Sequence, residues 1–172
     1  MSAHIRRAAS ADAPIVALLG RVTFVETFGY LFRDRFKNDL RAYLDTTFDV
    51  AKIERSLGKP ENIYWLALWE KLPVGYAKLK HPSPQPGAAQ SASQLQKIYV
   101  LGEFAGRGIG HDLIDRVFTE AVVRAPVVWL DVLQENRGAV DFYRRHGFAV
   151  TGEHRFPIGS QQFLFHRMSR AP

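Results

Sequence analysis

Three glycines at alternate positions, Gly106, Gly108 and Gly110, separate an apolar run from an amphipathic one in the stretch QKIYVLGEFAGRGIGHDLIDRVF. The run before the glycines suits a β-strand, and the apolar residues after them recur every three or four positions, as on one face of a helix. A strand, a glycine-rich turn and a helix start leave backbone N–H groups unpaired at the positive end of a helix dipole. This arrangement suits a phosphate or pyrophosphate group, and Arg107 adds a positive charge beside it.

The glycine spacing differs from two well-known phosphate-binding patterns. The dinucleotide fingerprint needs a glycine where His111 stands, and the phosphate loop of nucleotide hydrolases needs a Gly-Lys-Ser/Thr ending, which this sequence lacks. A strand-to-helix turn without any ligand is the alternative interpretation. The spacing alone leaves both interpretations open.

A second group of residues lies in the stretch WLDVLQENRGAVDFYRRHGF. A predicted strand there delivers Asn136 to the start of a helix, where an amide side chain either caps the helix or bonds an amide-bearing ligand. Tyr143 follows about two turns later on that helix. Packing in the core is the alternative role for the aromatic residues, and we favour it for Phe142 but not for Tyr143.

The rest of the chain predicts alternating strands and helices within one domain, residues 1–172. The predicted strands are HIRRA, IYWLALWE, PVGYAKLK, QLQKIYVL, VVWLDVL, FAVTGEHRF and QQFLFHRM. Ser10 is predicted to cap a first helix that ends at Gly29. The predicted core face of this helix carries Ile15, Leu18, Leu19, Val22, Val25 and Phe28. A further helical region is predicted from Asp34 to Leu57, broken near Thr46 and Thr47, and the segment 81–93 is predicted as a loop.

Composition excludes several chemistries. The chain has no cysteine, so it has no disulfide, thiolate metal site or cysteine nucleophile. The histidines lack any metal-ligand spacing, and we predict no metal. A formal charge of +6 favours anionic partners, but the basic residues are spread along the chain and form no nucleic-acid motif, so nucleic-acid binding ranks low. Without a signal sequence or a long apolar run, we expect a cytoplasmic protein that does not span a membrane.

Together the two stretches resemble the GCN5-related N-acetyltransferases, the GNAT superfamily. IYVLGEFAGRGIG is similar to the family's pyrophosphate segment, and ENRGAVDFYRRHGF to its second acyl-CoA segment, in the same order. The resemblance implies an α/β (α+β) single-domain fold with a mixed, mostly antiparallel sheet of six or seven strands and helices on both faces. It also implies a V-shaped opening between the strands at 94–101 and 127–133. Within the superfamily the chain looks most like the bacterial spermine/spermidine acetyltransferases.

The resemblance implies an acetyl-CoA-dependent N-acetyltransferase that moves the acetyl group directly to a primary amine in a ternary complex. Polyamines, other small amines and peptide amines are all open as acceptors. A non-catalytic acyl-CoA sensor is the alternative function, and pairing through the C-terminal hairpin would allow a homodimer. By resemblance, backbone groups of Ile98 and Val100, on the strand before the glycines, pair with the pantetheine arm of acetyl-CoA. The arm would lie beside this strand as an added strand would. The implied cofactor-binding residues are Ile98, Val100, Ala105, Gly106, Arg107, Gly108, Ile109, Gly110, Asn136, Ala139 and Phe142. Ala105 stands where the family usually has Gln or Arg, which predicts weaker cofactor binding.

The catalytic residues are also carried over by resemblance. Tyr143 stands at the position of the family's general acid, and a phenol of pKa about 10 can donate to a leaving thiolate whose thiol has a pKa of about 8.5. Many relatives have a glutamate base on the strand before the glycines, where this sequence has Gln94 and Gln96. Glu26 is the first candidate for the base, with a solvated helix carboxylate as the alternative. Asp131 is the second, with a solvent-facing strand residue as the alternative.

Overall fold

A single seven-stranded sheet runs through the protein, of which the computed structural model describes residues 3–32, 37–88 and 90–171. The strands are β1 (His4–Arg7), β2 (Asn62–Trp69), β3 (Leu72–Lys80), β4 (Ser93–Val100), β5 (Val128–Leu133), β6 (Ala149–Ile158) and β7 (Gln161–Arg170). Their order is β1-β2-β3-β4-β5-β7-β6, and only the β4–β5 pair is parallel. The predicted mixed, mostly antiparallel α/β architecture is therefore confirmed.

Helices cover both faces of this sheet. The described residues form α1 (Ala13–Phe28), α2 (Lys37–Thr47), α3 (Val50–Leu57), α4 (Ile109–Ala121) and α5 (Arg137–Arg145). One hydrophobic core, which includes Leu113, Val117 and Leu130, lies under α4 and α5. A second core, which includes Val16, Phe24 and Leu66, lies under α1, α2 and α3. The strands between the two cores are buried on both faces, so the sequence of β2 is a continuous apolar run.

The first helix differs from its predicted form in two ways. Ser10 does not cap it: Ser10 lies in a short 3-10 turn before α1, where the Asp12 carboxylate accepts a hydrogen bond from the Ala9 amide at 2.8 Å. The predicted core face is only partly correct: Leu19 is buried and Ile15 and Phe28 pack against the second core, but Leu18 is 63% exposed and Val22 and Val25 also face solvent. The buried residues of the helix are Ala13, Val16, Ala17, Leu19, Gly20, Thr23 and Phe24. The helix is apolar on nearly every side, so periodicity could not choose the face, and the small residues allow α1 to approach the sheet closely.

The other predicted boundaries agree with the structure. The break in the second helical region lies at Phe48 and Asp49, where the Asp49 side chain accepts a hydrogen bond from the Lys52 amide at 2.8 Å and caps α3. The predicted start at Asp34 lies outside the described residues. Glu70 and Lys71, both with positive φ, make the tight turn between β2 and β3.

The stretch Ser10–Leu31 is long and apolar enough to cross a membrane by length and composition. The core helix of a globular fold meets the same two criteria, and α1 buries Val16, Leu19 and Phe24 against the sheet. The stretch is therefore weak evidence for a membrane span.

Candidate active site

The sheet opens between β4 and β5. Ser93 pairs with Val128 and Gln94 with Trp129, and these are the only two residue pairs that join the strands within the described chain. On its other edge β4 stays paired with β3 as far as Val100. The edge of β4 that faces β5 therefore carries unpaired backbone groups, which can bind an extended ligand as an added strand would. Ile98 and Val100, two of the predicted cofactor residues, lie in this segment.

The glycine-rich turn follows β4 after a short 3-10 turn, Gly102–Phe104, and leads into α4. Gly106 and Gly108 have φ of 75° and 81°, in the left-handed region that favours glycine. A Cβ at either position would meet nothing within 4 Å, so their role here is conformational and leaves the backbone open to a ligand. Ala105 and Arg107 lie exposed in the same turn. The turn thus presents the first amides of α4, from Ile109 and Gly110, at the positive end of a 13-residue helix.

Asn136 lies at the start of α5, on the β5 side of the opening. Its Oδ1 accepts a hydrogen bond from the Ala139 amide at 3.2 Å, so the predicted capping role is present. The cap uses only the oxygen, which leaves the side-chain NH2 as a donor for a ligand carbonyl. Asn136 and Ala139 both line a cavity that also contacts β4 and β5. Phe142 instead packs against the His146 ring and lies close to Gly110.

Tyr143 is 9% exposed and lines the same cavity from below the opening. Phe142 and Phe148 contact its ring edge to face. Burial raises the pKa of Tyr143 above the ordinary value of a phenol. The side chain is therefore a neutral hydroxyl near neutral pH, able to donate a hydrogen bond but less acidic than a phenol in water.

A cavity of about 390 Å³ passes through the opening and reaches the α1 and α2 side of the sheet. Its far wall is mainly aromatic, which the sequence analysis did not foresee. Six phenylalanines share this wall: Phe24, Phe28, Phe32, Phe156, Phe163 and Phe165. QQFLFHRM was predicted as a strand, but its sequence carries no information about which helix lies opposite.

Two carboxylates were predicted as candidate bases, and the structure puts them in different surroundings. Glu26 is exposed and absent from the cavity lining, and its Oε2 accepts a hydrogen bond from the Gly102 amide at 3.0 Å. Asp131 does line the cavity. Glu26 therefore holds the backbone just after β4, next to the glycine-rich turn.

Asp131 belongs to a polar cluster that the sequence analysis missed. Arg167 donates two hydrogen bonds to its carboxylate, at 3.0 and 3.2 Å. The Nε2 atom of His154 lies 3.5 Å from Asp131 Oδ2, and His154 also lines the cavity. The Nδ1 atom of His154 is buried and has no hydrogen-bond partner in the described structure. The three residues come from β5, β6 and β7, so only the strand order β5-β7-β6 brings them together.

Comparison with known proteins agrees with this geometry. The acetyltransferase (GNAT) family matches residues 26–148. An N-acetyltransferase from Lactobacillus delbrueckii subsp. lactis is 27% identical over 155 residues, 88% of this chain and 87% of that protein. The peptidyl-lysine N-acetyltransferase YjaB of Escherichia coli is 30% identical over 94 residues, 54% of each chain. The crystal structure of the PaiA N-acetyltransferase of Thermoplasma acidophilum with coenzyme A superposes with a TM-score of 0.77 at 18% identity, over 100% of both chains.

Proposed function

The chain belongs to the acetyltransferase (GNAT) family, whose members use acetyl-CoA, and we propose that it acetylates a primary amine carried by an aromatic or other apolar group. The observation that carries this proposal is the cavity that joins the β4–β5 opening to an aromatic wall. Bound acetyl-CoA would supply the thioester, and residues 1–172 would act as one acetyltransferase domain.

The chain's own backbone supports a donor site in the opening. The unpaired edge of β4 around Ile98 and Val100 suits the amide-bearing arm of the donor, and the side-chain NH2 of Asn136 faces the same cavity. The amides of residues 106–110 suit the pyrophosphate. Gly106 and Gly108 fit this role because their backbone lies free of side chains. Ala105 adds no polar contact, so the phosphates rely on these amides and on Arg107.

Tyr143 would assist departure of the thiolate. In direct transfer, the amine nitrogen bonds to the acetyl carbon while the carbon–sulfur bond breaks and negative charge develops on sulfur. The buried phenol hydroxyl would donate a hydrogen bond to that sulfur as the charge forms. Its raised pKa favours a donor that holds its proton until the charge has developed. No cysteine is present to carry a covalent acyl group, so direct transfer is the simplest route.

The attacking amine must first lose a proton. We infer that His154, beside Asp131, accepts it, since imidazole is the side chain best suited to proton exchange near neutral pH. Nδ1 is buried, so Nε2 would take up the proton, and the Asp131 carboxylate 3.5 Å from it would stabilise the imidazolium that forms. The role of Glu26 as the base stays a prediction. Its position favours it less than His154, because its carboxylate accepts a hydrogen bond from Gly102 and Glu26 does not line the cavity.

The lining of the cavity bears on the acceptor class. A polyamine would favour several free carboxylates, but among the described residues that line the cavity Asp131 is the only acidic one, and it is already paired with Arg167. Lys97 adds a positive charge to the same cavity. The spermine/spermidine subtype therefore has little support, and an amine on an aromatic or apolar group fits better. A peptidyl lysine is a second candidate acceptor, because YjaB, a relative that matches over 94 residues, is a peptidyl-lysine N-acetyltransferase.

Thiol release from acetyl-CoA, followed with a colorimetric thiol reagent, tests the proposal. The panel contains 2-phenylethylamine, spermidine and a lysine-containing peptide, and the cysteine-free protein contributes no background. We expect release above the hydrolysis rate, and the highest kcat/KM with 2-phenylethylamine. Preference for the peptide would favour the second candidate, and preference for spermidine would contradict the apolar-amine proposal.

A further inference from the structure

Two lysines lie directly opposite each other in the interior of the sheet. Lys78 on β3 pairs with Lys97 on β4, and Tyr64 on β2 pairs with Lys78 from the other side. Directly paired residues share a face of the sheet, which here is the face covered by α1 and α3. Like charges at directly opposed positions destabilise a sheet. The fold therefore keeps a costly pair of positive charges beneath its helices.

Both lysines open into a second cavity, of about 150 Å³, between this face and α3. One water molecule needs only about 10–15 Å³, so the cavity has room for a small polyatomic ligand. Lys52 of α3 supplies a third positive charge to its lining. Hydroxyl groups of Ser56, Tyr64 and Tyr76 also belong to lining residues. Ser56 and Tyr64 are hydrogen-bonded to each other at 2.9 Å, which uses one of their two hydroxyl protons and leaves the other as a donor for a ligand.

None of the described residues that line this cavity is acidic. Lys52 Nζ donates to the Thr46 carbonyl at 3.1 Å. The ammonium of Lys78 lies 5.3 Å from the Tyr64 ring, and that of Lys97 lies 5.5 Å from the Phe48 ring. Aromatic faces compensate a positive charge only in part. Carbonyl and ring contacts leave most of the positive charge in the cavity uncompensated.

The protonation behaviour of Lys78 agrees with this picture. Burial, and then the charge of Lys97, lower the pKa of Lys78 to about 8. Smaller contributions to this same shift come from Lys80, Lys52 and Lys59, and the facing tyrosines, Tyr64 and Tyr76, are neutral because burial raises their pKa values. An anion among these groups would favour the charged lysine.

We propose that the cavity lined by Lys52, Lys78 and Lys97 binds a small oxyanion, of the carboxylate or phosphate class. Lys97 also lines the larger cavity where the acceptor amine is proposed to bind, so the two cavities share a wall. The anion therefore has two possible sources: a carboxylate carried by the acceptor, or a free anion. The binding of the anion itself does not depend on acetyl transfer.

Inorganic phosphate is the first probe, measured by calorimetry and thermal melting with coenzyme A present throughout to occupy the pyrophosphate site. We expect Lys78→Met to raise the phosphate Kd about tenfold or more, the loss expected for one charge-assisted hydrogen bond. Lys59→Met is the matched control: Lys59 is exposed and lies outside both cavities, so its charge acts on Lys78 only at a distance and through solvent, and its loss should change the phosphate Kd little. Without phosphate, Lys78→Met should melt above the wild type, because the substitution removes a buried like charge.

The two sources are separated by comparing L-phenylalanine with 2-phenylethylamine as acceptors. If the acceptor supplies the carboxylate, L-phenylalanine has the higher kcat/KM and Lys97→Met abolishes this preference. If a free anion is the ligand, Lys78→Met still raises the phosphate Kd, but Lys97→Met does not change the ratio of kcat/KM between the two amines. Equal phosphate affinity in the wild type, Lys59→Met and Lys78→Met, together with no carboxylate preference, would overturn the proposal whether or not acetyl transfer occurs.

Discussion

Gln94 and Trp129 form the last paired position between β4 and β5, and beyond them the two strands separate. A parallel pair that stops after two positions leaves an unpaired strand edge inside the fold. Unpaired backbone groups away from water need a partner. Here the proposed partner is the extended arm of the acyl donor, which would complete the sheet while its thioester lies near Tyr143.

Tyr143→Phe tests the proposed donor to the leaving sulfur. The substitution removes one hydroxyl and keeps the ring packing against Phe142 and Phe148. We expect kcat to fall by roughly 10²–10⁴-fold, the usual contribution of general acid–base catalysis, while the Kd for acetyl-CoA stays unchanged. Steady-state thiol release and calorimetry measure the two quantities. An unchanged kcat, with chemistry shown to be rate-limiting, would exclude Tyr143 from the reaction.

Gly108→Ala tests the glycine-rich turn. The φ of 81° at this position costs an L-residue about 1–2 kcal/mol, although an added Cβ would meet nothing within 4 Å. We expect the melting temperature to fall by about 2–4 °C for each kcal/mol of this strain. We also expect weaker coenzyme A binding, because the turn relieves the strain by changing its backbone dihedral angles, which moves the amides. The control is Gly58→Ala, since Gly58 has a φ of −77° and ends α3 away from the opening. Equal effects of both substitutions would contradict a special role for the turn.

His154→Gln tests the proposed proton acceptor. Loss of the imidazole should lower kcat/KM and remove one ionisation from the pH–rate profile, whereas a purely structural role would leave the profile's shape unchanged. His166→Gln is the matched control on the paired strand, where His166 contacts Gln134 and Glu153 and lies outside the cavity lining. A wild-type profile in His154→Gln would rule out His154 as the base, and the same measurement on Glu26→Gln would then test the alternative.

Asp12 gives a prediction for stability at low pH. Hydrogen bonds from Arg6 and the Ala9 amide, with the charge of Arg6, lower the pKa of Asp12 despite its burial. A lowered folded-state pKa stabilises the fold above the unfolded value of about 3.9, and the contribution is lost as pH falls through the folded value. Asp12→Asn should therefore melt below the wild type at pH 7, with the difference shrinking below about pH 4. Asp45→Asn, at a more exposed ion pair, should change little.

Lys78 predicts a second rise of stability with pH, at high pH, because its lowered pKa means that the buried charge destabilises the fold. Its folded pKa of about 8 lies below the ordinary value of 10.5, so the buried charge destabilises the fold most at and below pH 8. Stability of the wild type should rise between about pH 8 and 10 as the folded lysine loses its proton. The gap in melting temperature between Lys78→Met and the wild type should narrow over the same range. A constant gap would mean that charge is not the cause.

Local sequence signals predicted the strands, the glycine-rich turn and the helix cap at Asn136. Alternation marks strands, glycines mark the turn, and Asn136 at a helix start marks a cap, so each feature depends on neighbours in the chain. The face of α1 could not be predicted in the same way, because Leu18 and Leu19 are equally apolar and only packing against the sheet distinguishes them.

The proposed acceptor side depends on contacts between residues that are distant in sequence. Asp131, His154 and Arg167 come together because β7 lies between β5 and β6, and no local pattern specifies that order. The pair of Lys78 and Lys97 likewise depends on the register between β3 and β4. Each lysine alone reads as an ordinary polar strand residue, and only the register makes them neighbours.

Titration of ¹⁵N-labelled protein with coenzyme A, followed through backbone amide shifts, tests the placement of the donor most directly because it needs no acceptor. The largest shifts are predicted for Ile98, Val100, the amides of residues 106–110 and the side-chain amide of Asn136. The amide chemical shifts of the β1 edge strand should not change. Binding that leaves the β4 edge and the glycine-rich turn unperturbed, with shifts elsewhere, would contradict a donor site between β4 and β5.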